Sequence, residues 1–117
     1  MSSLPSGVLC LSLNSFYPVK LLERQMFYTY VLQSEKDNGF YIGFTKDLKL
    51  RFEEHLRGRV DSTKNRRPLG LIYYEACLTQ EDATKREKYL KTYNGRRFLY
   101  KRLKSYLTGF TQLNSLR

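Results

Sequence analysis

Tyrosines on two short aromatic runs, an arginine with a histidine four residues on, and a glutamate on a basic helix are the side chains best placed to do chemistry. Tyr28 and Tyr30 belong to "FYTYVLQ" (27–33) and Tyr41 to "GFYIGF" (39–44). Arg51 and His55 stand one helical turn apart on a shared face. A guanidinium fork matches phosphate oxygens bidentately, so this pair, bordering strands that offer tyrosine hydroxyls, reads as a phosphate cradle. The plainer reading is an arginine snorkelling from the core edge beside a helix-packed histidine. Glu87 lies four residues after Ala83 and three before Leu90, which turns it toward the core side of its helix. A carboxylate there must be paired with Arg51 or a nearby lysine, hold a metal, or stand at the mouth of a cleft, because an unpaired buried charge is costly.

The elements that carry these residues follow from periodicity. The two aromatic runs alternate, and Asp37, Asn38 and Gly39 supply turn chemistry, which predicts a β-hairpin. Aromatic side chains suit half-buried strands, so packing alone would account for many of these rings. A helix is expected over 45–59, capped by Thr45 or Asp47, with Leu48, Phe52 and Leu56 as its buried stripe and Gly58 at its end. "LGLIYYEA" (69–76) predicts a third strand, expected to be central because it is apolar on both sides. A second helix is expected over 79–93, opened by Thr79 and Asp82 and closed by Asn94 and Gly95. Phe98, Leu99, Leu103, Tyr106 and Leu107 predict a third over 96–107. The order strand, strand, helix, strand, helix, helix defines a small α/β domain.

At 117 residues the chain has room for one domain with a modest core. No apolar run approaches a membrane span, so no membrane role is expected. The net charge of +10, from 21 basic against 11 acidic residues, attracts a polyanion, with nucleic acid first. Lys46, Lys64, Arg66, Arg67, Lys85 and Arg86 are the candidate backbone contacts. A protein partner is compatible with the basic surface, but no motif names one. Cys10 and Cys77 are too far apart for a metal knuckle or redox pair and fit a reducing cytoplasm. Residues 1–25, rich in Ser, Pro and Gly, are expected to be an extension ahead of a domain spanning 26–107, with 108–117 as a tail.

"YTY" at 28–30, "YIG" at 41–43, Arg51 with His55, and Glu87 in "ATKREKYLK" resemble the GIY-YIG nuclease superfamily, most closely small single-domain members similar to the nuclease domain of an excision-repair endonuclease subunit. The resemblance runs from about Phe27 to Leu107. It implies a three-stranded antiparallel sheet flanked by about three helices, and a metal-dependent endonuclease acting on DNA more readily than RNA, with a role in repair or recombination. It further implies that Tyr30 is the general base or water-positioner and Tyr41 its partner near the scissile phosphate. Arg51 would stabilise phosphoryl charge, His55 would relay a proton or orient the nucleophile, and Glu87 would hold Mg²⁺ or Mn²⁺. A phenol with an ordinary pKa of about 10 is a poor base at neutral pH, so nearby cations are expected to lower that of Tyr30. The leading Gly and Ile of the family name are absent, and Phe44 stands where some members carry a lysine, whose role is either absent or shifted to Lys46. Two rival readings keep the basic charge without turnover: a nucleic-acid binder of the same fold, and a module that docks on RNA with its tyrosines stacked on bases.

Overall fold

The computed structural model describes residues 24–115. Most of the expected extension, with Cys10, lies outside the described residues. Strand β1 (Phe27–Ser34) pairs antiparallel with β2 (Phe40–Thr45) and with β3 (Leu69–Cys77), giving the order β2-β1-β3. Four helices follow the hairpin: α1 (Leu48–Leu56), α2 (Gln80–Leu90), α3 (Tyr93–Arg102) and α4 (Lys104–Ser115). The fold is α/β, a three-stranded antiparallel sheet with helices around it, as expected.

The turn is built as its residues dictate. Asn38 takes the left-handed conformation at φ 61°, and the Gly39 amide donates to Asp37 Oδ1 at 2.7 Å. Asp47 caps α1 by accepting from the Leu50 amide, Thr79 caps α2 through the Asp82 amide, and Gly58, at φ +76°, follows the end of α1.

Strand β1, not β3, is central. Its last six residues are all buried, whereas β3 is an edge strand with Tyr74 and Ala76 exposed. The continuous apolar run of β3 resembles an interior strand, but tyrosines tolerate one wet side, so composition misplaced it. On one face Val31, Ile42, Leu90 and Leu99 form the core beneath α2 and α3. On the other, Tyr30, Leu32 and Leu69 pack with Tyr41, Leu48, Phe52 and Leu71. Leu56, expected in the buried stripe of α1, is exposed, and His55 is buried in its place. Helix α2 ends earlier than expected: Thr92 accepts from the Gly95 amide and caps α3, so Asn94 and Gly95 open the next helix instead of closing the last. The expected third helix is two, parted at Leu103, and the segment expected as a tail is helical to Ser115.

Candidate active site

Tyr30 reaches the site because β1 projects it toward α1 and because Gly43, its register partner on β2, has no side chain. A Cβ at Gly43 would stand 2.5 Å from the Tyr30 hydroxyl. The phenol lies over that gap, almost wholly buried, 2.8 Å from His55 Nε2. His55 Nδ1 is 2.7 Å from the hydroxyl of Thr63, itself buried. With the Thr63 hydroxyl accepting from Nδ1–H, Nε2 is left to accept the Tyr30 proton, giving a directed chain Tyr30–His55–Thr63. Tyr41 closes the cluster, its ring 6.4 Å from that of Tyr30 and 5.2 Å edge-on to that of His55.

Arg51 stands at the half-exposed rim of this cluster, held by Glu54 at 2.9 Å and close enough to Tyr30 for its charge to favour the phenolate. Burial outweighs that pull and pushes the Tyr30 phenol up to about 12. Arg51 and His55 do not bring the expected lowering, because the hydroxyl is deep and its hydrogen-bond partner His55 is uncharged. Burial, reinforced by the Arg51 charge, holds His55 down at about 4, so it is neutral at physiological pH. His55 is fully buried behind the tyrosine, where it can orient Tyr30 without touching substrate.

Glu87 comes from α2 and is near enough to Tyr30 for its charge to raise the phenol further. Its partner is Lys91, at 3.0 Å, one of the alternatives left open by the sequence. No group of three or more His, Cys, Asp or Glu among the described residues could hold a metal. A single partly accessible carboxylate still suits a hard divalent ion, since Mg²⁺ is commonly held by one or two carboxylates with waters and substrate phosphates.

The structure thus brings together Tyr30, Tyr41, Arg51, His55 and Glu87. Most of the candidate backbone contacts have partners within the protein. Arg86 makes a two-pronged contact with Glu75 at 2.9 and 3.0 Å and lies 4.7 Å from the Phe98 ring centroid, so it is tied into the fold. Arg66 reaches both carboxylate oxygens of Asp37, and Arg67 donates to the carbonyls of Lys64 and Leu56. Lys64 and Lys85 make exposed pairs with Asp61 and Glu81 at 3.4 Å. Lys46 is exposed beside the start of α1. Thr63 escaped the sequence reading: in the polar loop after α1 nothing marks one hydroxyl as buried beneath a histidine.

The family model for the GIY-YIG catalytic domain matches residues 26–101. The chain belongs to the GIY-YIG family. UPF0213 proteins of Staphylococcus aureus strains Mu3, Mu50 and N315 are 45% identical to it over 58 residues, which cover 49% of this chain and 71% of each relative. Their designation carries no activity. No solved structure matches. A GIY-YIG domain implies nuclease-type chemistry on nucleic acid, and nucleases of this family generally use divalent metals. No helix among the described residues is long and apolar enough to cross a membrane.

Proposed function

We propose that this GIY-YIG protein is a divalent-metal-dependent endonuclease that hydrolyses phosphodiester bonds of DNA. The observation that carries the reading is the convergence of Tyr30, Tyr41, Arg51 and Glu87, from β1, β2, α1 and α2, around one phenol fixed by His55.

Hydrolysis adds one water across a P–O bond: the water oxygen joins phosphorus, and its hydrogens end on the departing hydroxyl and the new phosphate or solvent. Arg51 is suited to the negative charge that accumulates on the phosphoryl oxygens, because Glu54 and Tyr30 already fix its direction and little reorganisation is needed. Tyr30 acts as a neutral phenol. In the tautomer with Nδ1–H given to Thr63, its proton goes to His55 Nε2, and its lone pairs accept from water or from the Arg51 guanidinium. Of the two roles expected for Tyr30, positioning therefore fits better than ionised base. Tyr41, at the half-buried rim, offers its hydroxyl to the phosphate. Glu87 and the non-bridging oxygens would hold Mg²⁺ or Mn²⁺, which supplies Lewis-acid stabilisation of the departing oxygen. Lys91 would exchange its partner for solvent.

Incubating the full chain with labelled duplex, nicked, branched and single-stranded DNA and with RNA, each with Mg²⁺, Mn²⁺ or chelator, tests this reading. Cleavage of at least one DNA that stops with chelator is expected. Binding without cleavage under every condition would leave only a nucleic-acid-binding module.

A further inference from the structure

Tyr74 is the register partner of Tyr30 on β3, so the two side chains leave the sheet on the same face. At that edge lies an open cleft of about 520 Å³, within the size range of small-molecule sites. Tyr28, Tyr74, Phe52 and Leu71 give it apolar walls, and Lys46 and Lys49 line its opening. Leu48, Phe52 and Leu71 also pack against the core cluster of Tyr30, so one layer of side chains separates the cleft from the candidate active site.

Two features single out its ligand. Tyr74 remains 53% exposed although it is a large aromatic residue, and the Tyr28 ring meets it edge-on at 6.0 Å and 63°, bracing it while half its surface stays open. The rim is cationic on balance: Lys46 and Lys49 are exposed against one carboxylate, Asp47, which caps α1. A braced, open aromatic ring beside two ammonium groups is complementary to a flat aromatic base joined to a phosphate. Bases inside a duplex have their faces covered by stacking and cannot use such a wall.

We propose that this cleft receives one unpaired nucleotide of the strand being cut, its base against Tyr74 and Tyr28 and its backbone phosphate near Lys46 and Lys49. The inference rests on the nuclease reading and adds a substrate class to it: DNA with a single-stranded segment beside the scissile phosphate.

The test is binding in chelator, so that nothing is cut, with the full chain and fluorescently labelled oligothymidylate or blunt duplex followed by anisotropy. Tyr74→Ala should weaken single-strand binding by about tenfold and leave duplex binding within about twofold, and Tyr74→Phe should bind like wild type. Lys49→Gln should weaken single-strand binding and make its salt dependence shallower, since one phosphate contact is lost. Equal losses on both nucleic acids after Tyr74→Ala, or no loss on the single strand, would overturn the proposal. Thymidine monophosphate binding wild type as tightly as the oligonucleotide does would also overturn it, in favour of a free-nucleotide pocket. Because no cleavage is read, the expected binding pattern from a protein that cuts nothing with metal would defeat the nuclease reading and leave the cleft standing.

Discussion

The Tyr30 hydroxyl carries most of what is specific about this site. Burial pushes this phenol up to about 12, which keeps it protonated through the neutral range and gives it an expected role by position. Tyr30→Phe removes one polar atom and little volume, and should lower single-turnover cleavage furthest, with Tyr41→Phe above it and Tyr28→Phe near wild type. The ratio of wild-type to Tyr30→Phe rates should be constant from about pH 7 to 9; a ratio rising tenfold per pH unit would restore the phenolate. Forming the ratio cancels any ionisation of metal-bound water common to both proteins. His55 gives a second prediction. Unfolded, it takes up a proton as pH falls through 6.5, while the folded form resists until about 4. Stability from this group is therefore fully present above pH 6.5 and is lost by about 3 kcal/mol as pH falls to about 4. Urea unfolding at several pH values should show that loss in wild type and a shallower slope in His55→Gln.

Among the elements, β2 matters through what it lacks. Gly43 is partnered with Tyr30, and the space over it is filled by the phenol. Gly43→Ala should displace that ring and cut activity by about 10² or more, the order found for losing one preorganised hydrogen-bonding group, while circular dichroism stays close to wild type. Unchanged activity would mean that the phenol has no fixed role. Gly95 has a comparable reason to be glycine without touching the site: a Cβ there would overlap the backbone of Tyr89 and Leu90 where α2 turns into α3. Sequence periodicity recovered the hairpin, the caps at Asp47 and Thr79 and the inward stripe Ala83–Leu90, since each depends on neighbours within one turn. It failed where tertiary packing decides. The apolar pattern runs through Leu103 without interruption, so the break between α3 and α4 left no trace in it. The place of β3 depends on what covers it, and the hydroxyl of Thr63 becomes informative only beneath His55.

For the whole molecule, a charge of +10 is partly spent inside the fold. Several of the residues expected to contact a backbone are paired or tied to carbonyls, notably Arg66, Arg67 and Arg86. The candidate residues Tyr30, Tyr41, Arg51 and Glu87 were named from the family resemblance, and they come to one neighbourhood although they belong to four different elements. That convergence makes Glu87 decisive: unlike Glu54, which is paired with Arg51, it comes from α2, and its charge reaches the Tyr30 phenol from there. The most direct test compares wild type with Glu87→Gln on the most readily cut DNA, in Mg²⁺ and in chelator, with binding measured in parallel. The account predicts cleavage by wild type in Mg²⁺ only, none by Glu87→Gln, and DNA affinity within about threefold between them, since the amide keeps the shape and loses the charge. Cleavage by Glu87→Gln near the wild-type rate, or wild-type cleavage that persists in chelator, would contradict it.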